Sequence, residues 1–434
     1  MFPADIIVRA IRLVLEGAIS LRAASRTCNI IDQCNGGLGL DAPCETTIQN
    51  HILRLGLYLI ERTDQRRDDW VWLLDHTINA GSTKCLIVLG IALENYHKLS
   101  GPMSHHDLVV IAVMPVETSN GEVVCGQLEQ LADQFGSPVA TLSDRGSDLK
   151  KGVELFQQEH PEVASYYDIV HLVSRVIKSI FESDSRWDLY RKACYRCANF
   201  LRQSSLAHLK PPCPKTKARY MNYDREVRWA IRAMGVLDRV RSGQINDRQQ
   251  ARLPSKLVEQ RLGWLDEYRE RASVWLEVIW AGQAINQLVR RNGYTATTAD
   301  EIRRLGETVD YEESKSLVRQ VADEVAPLCQ SLSGDAAMPG STEVLESLIG
   351  KGKRLLHHSG NSVTRQILSL AAATTEITTD LIKEALSTCQ MKHLRQWARD
   401  NLRSGIHVAR REDLTAAPEE GKLRKRMAAA SPMI

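Results

Sequence analysis

The chain has 434 residues, of which 43% are hydrophobic and 25% are charged, with ten cysteines and a net charge of +3. This length predicts about three structural units, and no apolar run reaches the roughly 18 residues of a membrane span. Charged residues such as Asp5 and Arg9 within the amphipathic N-terminus exclude a signal peptide, and the scattered cysteines argue against a disulfide framework. We therefore expect an intracellular protein without a membrane partner.

Charge is unevenly distributed along the chain. Residues 66–180 contain 9 Lys and Arg against 15 Asp and Glu, whereas residues 181–260 contain 17 against 8. An acidic segment followed by a basic one fits a metal-binding core beside a phosphate-binding surface. Ordinary fluctuation among solvated helix faces is the alternative interpretation.

Residues 1–65 are predicted to be helical. Apolar residues recur with a helical period from Asp5 to Glu16, from Ile19 to Ile31 and from about Glu45 to Leu57. Three short helices predict a helix-turn-helix module whose third helix enters the major groove of DNA. The base-reading candidates on that helix are Thr46, Thr47, Gln49, Asn50 and Arg54. A helical packing or dimerisation unit is the alternative.

Residues 66–180 have a strand-rich pattern. The predicted strands are 70–77, 85–92, 108–114, 139–143 and 166–170, and the predicted helices are 123–135 and 148–159. The first three strands follow each other with short connections, and the last two alternate with helices. The order β-β-β-α-β-α-β is that of the ribonuclease H-like fold, with a mixed five-stranded sheet.

The rest of the chain is predicted to be helical. Residues 181–335 form an all-helical insertion with almost no strand signal, and residues 336–372 return to the core with a helix from Ser341 to about His357. Residues 373–434 contain a helix from about Thr379 to Arg403 and a basic tail that we expect to be disordered. The predicted fold class is therefore α/β, interrupted by an all-α insertion.

Two carboxylates follow buried apolar strands. Asp75 ends the run that begins at Trp70, and Asp144 follows the strand 139–143. In the predicted topology these strands are neighbours, so both carboxylates emerge at one sheet edge. Carboxylates held side by side repel each other unless a cation neutralises them, and oxygen ligands suit Mg²⁺ or Mn²⁺. Two such ions activate an attacking hydroxyl and stabilise the leaving oxygen in phosphoryl transfer.

The third acidic ligand is expected on the helix after the insertion. The apolar face of that helix consists of Val344, Leu345, Leu348 and Ile349. Glu346 borders this face and Glu343 lies further toward solvent, so Glu346 is preferred and Glu343 remains a candidate. Lys353 follows Glu346 by two turns, where we expect it to contact DNA phosphate.

Asp168 and His171 form a secondary pair of candidates. In a strand that runs to Val170, Asp168 would be a supporting acid and His171 would orient a phosphate or a metal-bound water. A strand end with a structurally satisfied histidine is an equally good interpretation. The nearby Cys194 and Cys197 lie within a predicted helix, which does not favour a zinc site.

The segments around the three acids resemble a known family. The N-terminal helical module, the strand ending in Asp75, the segment Leu-Ser-Asp144-Arg-Gly-Ser-Asp and the segment Glu346-Ser-Leu-Ile-Gly-Lys-Gly-Lys are similar to bacterial insertion-sequence transposases of the DDE class. The resemblance covers residues 1 to about 360. It implies a ribonuclease H-like core with a helical insertion between Asp144 and Glu346. One branch of the family carries Tyr-x2-Arg before the glutamate, and this chain has Pro339-Gly340-Ser341-Thr342 there.

The resemblance also implies an activity and its partners. In the family, two aspartates and a glutamate bind two Mg²⁺ or Mn²⁺ ions, hydrolyse the transposon ends and drive the 3′ hydroxyl into target DNA. Those roles fall on Asp75, Asp144 and Glu346. The implied partners are double-stranded transposon ends and target DNA, with a homodimer or larger synaptic complex in the bacterial cytoplasm, on the nucleoid. A catalytically inactive regulator and a ribonuclease H-like nuclease are the alternatives. The three retained acids argue against the first, and the N-terminal DNA reader argues against the second.

Overall fold

Two compact units make up the part of the chain that the structure describes. The computed structural model describes residues 2–34, 42–61, 66–78, 84–116, 118–213, 221–334, 336–356 and 363–401. The first unit takes its described residues from 1–98, 103–164 and the chain from 342 onward, and the second comprises 99–102 and 165–341. The N-terminal helices therefore cluster with the first four strands in the first unit.

Three helices precede the sheet, as the apolar periodicity predicts. They are α1 (Ala4–Leu15), α2 (Leu21–Cys34) and α3 (Glu45–Glu61). The apolar residues that define each period are buried, for example Ile11 in α1 and Leu55 in α3, both 0% exposed. Each helix therefore packs one apolar face into the first unit.

A mixed five-stranded sheet has its first four strands in the first unit, and its fifth strand spans the boundary between residues 164 and 165. Its strands are β1 (Trp70–Ile78), β2 (Lys84–Ala92), β3 (Val109–Val116), β4 (Ala140–Ser143) and β5 (Ala164–Tyr167). The strand order is β3-β2-β1-β4-β5. The strand β1 runs antiparallel to β2 and parallel to β4, and β2 runs antiparallel to β3. This order and these directions confirm the predicted ribonuclease H-like core.

Helices cover both faces of this sheet. The helix α4 (Leu93–His97) follows β2, and the crossover helices are α5 (Gly121–Phe135) and α6 (Ser147–Glu159). Trp72 and Leu74 of β1 share one hydrophobic core with Leu128 of α5 and Phe156 of α6. Side chains alternate along a strand, so the intervening Leu73, which is 0% exposed, is buried on the opposite face.

The C-terminal part of the first unit contains four helices. They are numbered after those of the second unit: α15 (Glu343–Leu356), α16 (Val363–Ala372), α17 (Thr379–Thr388) and α18 (Met391–Asn401). The sequence predicted one helix over 379–403, but the chain is extended at Cys389, which divides it into α17 and α18. The basic tail, residues 402–434, lies outside the described residues.

Helices from the N-terminal and C-terminal parts of the first unit also pack against the sheet. α15 packs against β1, and both α3 and α16 pack against β3. At the crossing of α3 and α16, Gly56 comes so close that a Cβ atom there would lie 1.9 Å from the carbonyl oxygen of Leu368. This glycine allows the two helix backbones to touch.

The second unit is helical, as predicted. Its helices are α7 (Ile169–Ser183), α8 (Ser185–Leu201), α9 (Met221–Arg241), α10 (Asp247–Arg252), α11 (Ser255–Leu262), α12 (Arg269–Asn292), α13 (Thr298–Leu305) and α14 (Glu312–Gln330). Buried aromatic rings join several of them: the centroids of Trp187 in α8 and Trp275 in α12 are 4.9 Å apart. These tryptophans therefore belong to the core of the unit.

No described helix is both long enough and apolar enough to cross a membrane.

Candidate active site

The pairing of β1 with β4 makes Asp75 and Asp144 neighbours. The two strands are parallel, and the last pair in their register is Leu74 with Ser143. Asp75 and Asp144 are the residues that follow this pair, and paired strands lie about 4.8 Å apart. Both side chains are half-buried. The structure thus brings together the two aspartates that the sequence placed at one sheet edge.

A tight turn fixes the position of Asp144. Its Oδ1 accepts a hydrogen bond from the backbone N–H of Gly146 at 2.8 Å, and the Ser143 hydroxyl accepts one from the N–H of Arg145 at 3.3 Å. Arg145 has a positive φ of 52°, which only a minority of non-glycine residues adopt. The turn leads directly into α6, so the carboxylate orientation depends on backbone hydrogen bonds rather than on a flexible loop.

Asp75 faces away from the core that the sheet forms with α5 and α6. Strand alternation puts Asp75 on the same face as Leu73, opposite the core formed with α5 and α6. On α15, Leu345 and Leu348 are buried, which matches the predicted apolar face. Glu343 and Glu346 are both half-buried in the first turn of that helix. The helix that carries both glutamate candidates therefore packs against the strand that carries Asp75.

The donor set suits a divalent cation. Two carboxylates at equivalent positions of adjacent strands repel each other, and a hard cation with oxygen ligands neutralises that charge. In the described part of the chain, no group of three or more His, Cys, Asp and Glu side chains is gathered closely enough to hold a metal ion. The two aspartates thus fit a cation as a pair, and a third ligand has to join them.

A second polar cluster lies at the same edge on the other face of the sheet. Lys84 Nζ, at the start of β2, is 2.6 Å from Asp148 Oδ2 in the first turn of α6. His76 Nε2 is 3.3 Å from the hydroxyl of Ser119. Burial lowers the pKa of His76, and the Lys84 charge adds to this, while Asp148 and Asp144 act in the opposite direction. The cluster ties the ends of β1 and β2 to the start of α6.

Asp168 has a structural position that the predicted strand did not suggest. The strand β5 ends at Tyr167, and Asp168 is the N-cap of α7, where its Oδ1 accepts from the N–H groups of Val170 at 2.7 Å and His171 at 3.0 Å. Asp168 is 0% exposed and belongs to the second unit, whereas Asp75 and Asp144 belong to the first. Capping outweighs the β propensity of the residues that follow, so Ile169 begins a helix.

The predicted DNA-reading residues lie along one side of α3 with unequal exposure. Thr46 is exposed, and Thr47, Gln49 and Asn50 are half-buried. Arg54 instead donates to the carbonyl oxygens of Cys389 at 2.6 Å and Leu386 at 2.5 Å, at the end of α17. This guanidinium therefore caps a helix. The side chain of Lys353 lies outside the described residues.

Sequence reasoning did not identify the polar cluster around Lys84. Lys84 and Asp148 are 64 positions apart, so no local spacing relates them. Two features of the sequence could have indicated the cluster. Asp148 follows Asp144 by four residues, and alternation along β1 places His76 on the face opposite Asp75.

Comparison with solved structures finds several similar chains. Neither a protein-family profile nor a curated protein matches the sequence. Among solved structures, the chain is similar to the Drosophila P element transposase strand transfer complex, with a TM-score of 0.36, 13% sequence identity and coverage of 87% of this chain and 93% of that one. At this level of similarity, the match by itself assigns neither fold nor function to this chain.

Proposed function

We propose that the chain is a DNA transposase of the DDE class, as in the insertion-sequence family that its motifs resemble. It would bind transposon ends and catalyse metal-dependent strand cleavage and strand transfer through Asp75, Asp144 and Glu346. The observation that carries this proposal is the in-register pairing of β1 with β4, which makes Asp75 and Asp144 neighbours at one sheet edge. The packing of α15 against β1 supports Glu346 as the third acid.

The proposed roles of the acids follow from the structural elements that hold each side chain in position. Asp75 lies on a strand buried on both faces, and the Gly146 N–H orients Asp144, so both would supply negative charge at fixed positions. Glu346 would join them when the cation and DNA bind. When bound, a divalent ion lowers the pKa of the attacking water or 3′ hydroxyl and neutralises charge on the leaving oxygen. The carboxylates would thereby bind the ions and orient the scissile phosphate.

Recognition of the ends is proposed for the start of α3. Thr46, Thr47, Gln49 and Asn50 remain the candidates, because short polar side chains at the start of a helix reach base edges in the major groove. Two ends must be held together for strand transfer, so we also propose a dimer or larger assembly on DNA.

The test is cleavage and joining of DNA that carries the sequences flanking this gene, with Mg²⁺ or Mn²⁺. We expect Asp75→Asn, Asp144→Asn and Glu346→Gln each to lower both activities by roughly a hundredfold or more, while end binding persists in a gel-shift assay. Glu343→Gln is the matched control in the same helical turn and should remain active.

Two results would contradict the proposal in different ways. Activity in Glu346→Gln together with its loss in Glu343→Gln would transfer the third role to Glu343. A wild-type chain that binds the ends but cuts with neither metal would refute the transposase proposal as a whole.

A further inference from the structure

The outward side of α8 combines aromatic rings with positive charge. Of the five large hydrophobic side chains that are exposed in the described residues, three lie on this helix: Leu189 at 51%, Tyr195 at 68% and Phe200 at 59%. Single exposed apolar residues are ordinary. Three on one 17-residue helix form a surface feature that the fold of the second unit does not explain.

The helix has a basic balance. It contains one acidic residue, Asp188, and four basic residues: Arg186, Arg191, Lys192 and Arg196. At 100° per residue, Lys192 and Arg196 lie between Tyr195 on one side and Leu189 and Phe200 on the other. We call the surface formed by Leu189, Lys192, Tyr195, Arg196 and Phe200 the α8 outer face. Each exposed ring on it therefore has a cation beside it.

The neighbouring helix α11 extends this surface. The guanidinium of Arg261 lies 4.9 Å from the ring centroid of Phe200. Lys192 is paired with Asp188 at 2.6 Å, whereas Arg196 forms no ion pair with any residue that the structure describes. Arg196 is exposed, so its charge is directed at solvent beside both rings.

These contacts favour a polynucleotide over a protein partner. Lysine is depleted at protein interfaces, but Lys192 occupies the centre of this face. Cations bind phosphate, and exposed rings stack on bases whose faces are accessible. A duplex hides its base faces, so the rings gain a partner only from an unpaired strand. Tyr195 and Phe200 are about 7.5 Å apart along the helix axis.

We propose that the α8 outer face binds unpaired DNA strands through phosphate contacts of Arg196 and base stacking on Tyr195 and Phe200. The proposal rests on the proposed function only for the choice of DNA as the polynucleotide. It adds a second DNA contact, in the helical unit, to the chemistry proposed for the sheet edge.

The test measures binding without catalysis. The full chain is titrated against a labelled oligothymidine of about 16 nucleotides and against a duplex of the same length, by fluorescence anisotropy in EDTA. We expect Tyr195→Ala and Phe200→Ala each to weaken oligothymidine binding by roughly fivefold to a hundredfold, with little effect on the duplex. Arg196→Gln should weaken binding and reduce the slope of log K against log salt by about 0.7.

Arg304→Gln is the matched control, since Arg304 is exposed on α13 and pairs with no acid in the described part of the chain. It removes the same charge and should bind as wild type does. Unchanged oligothymidine affinity in the Tyr195 and Phe200 variants would overturn the proposal. A shift from dimer to monomer in sedimentation, at unchanged DNA affinity, would also overturn it in favour of a second copy. Both results come from binding measurements without cleavage, so they distinguish failure of this proposal from failure of the catalytic proposal.

Discussion

The ammonium group of Lys84 lies 2.6 Å from the carboxylate of Asp148, which joins the start of β2 to the first turn of α6. The hydrogen bond from Lys84 holds the pKa of Asp148 below its ordinary value, against the opposing effect of burial. The two side chains are 35% and 20% exposed, so solvent screens the pair. The contact fixes the start of the helix that follows Asp144.

Asp148→Asn should therefore destabilise the chain by about 1 kcal/mol or less at pH 7. A lowered carboxyl pKa contributes stability above the unfolded-state value, near 3.9, and that contribution disappears as the pH falls through the folded pKa. The difference in unfolding free energy between wild type and variant, from urea titrations, should shrink below about pH 4. A difference that persists at lower pH would assign the effect to something other than the ion pair.

Divalent cations should stabilise the folded chain through Asp75 and Asp144. An ion that binds only the folded state raises stability by about 2.7 kcal/mol at a hundredfold excess over its Kd. We expect Mn²⁺ to raise the Tm of wild type but not of Asp75→Asn or Asp144→Asn, as followed by calorimetry. Asp133→Asn, on the surface of α5, should retain the shift. An equal Mn²⁺ shift in all four proteins would mean that the ion binds elsewhere.

His160 should titrate above its ordinary range. Its Nε2 lies 2.9 Å from Glu129 Oε2, and this hydrogen bond raises the pKa of His160 despite partial burial. Stability from a raised histidine pKa is present below the unfolded-state value of 6.5 and is lost as the pH rises through the folded value.

Glu129→Gln should thus lower the pKa of His160 in NMR titrations and destabilise the chain more at pH 6 than at pH 9. His160→Gln identifies the resonance. An unchanged pKa in the Glu129 variant would rule out this pair as the cause.

Gly56→Ala should disrupt the contact between α3 and α16. The new Cβ would lie 1.9 Å from a backbone oxygen, which cannot rotate away, so the helices must separate. We expect a loss of at least about 2 kcal/mol in unfolding free energy. Gly126→Ala in α5 is the control, because a Cβ there meets nothing within 4 Å and alanine favours the helix by about 0.5–1 kcal/mol. Equal stabilities for the two variants would contradict the close crossing.

Arg54→Met separates the capping role of Arg54 from the predicted DNA contact. Loss of two charged hydrogen bonds at the end of α17 should lower the unfolding free energy by about 1.5–3 kcal/mol. Arg26→Met, at an exposed site on α2, should cost much less. If the Arg54 variant keeps its stability but loses sequence-specific end binding, the base-reading interpretation is correct.

The sequence determined the local elements and singled out two acidic residues. Runs such as Trp70–Leu74 predict buried strands because their side chains are apolar on both faces, and the periods of α1 and α5 predict helices for the same local reason. Asp75 and Asp144 stood out because the predicted sheet holds the two carboxylates side by side, which is costly unless a cation neutralises their charge. The order of strands and helices was sufficient to predict the sheet.

Only the tertiary structure decided which side chains meet. Asp168 and Arg54 had plausible chemical roles in the sequence, but one caps α7 and the other caps α17. The Lys84 to Asp148 contact and the exposure of Phe200 likewise depend on residues far apart in the chain. A polar group forms hydrogen bonds with whichever groups the fold brings close, and an apolar side chain is buried by whichever neighbours pack on it. Spacing along the sequence therefore determines the periodicity of an element but not its tertiary contacts.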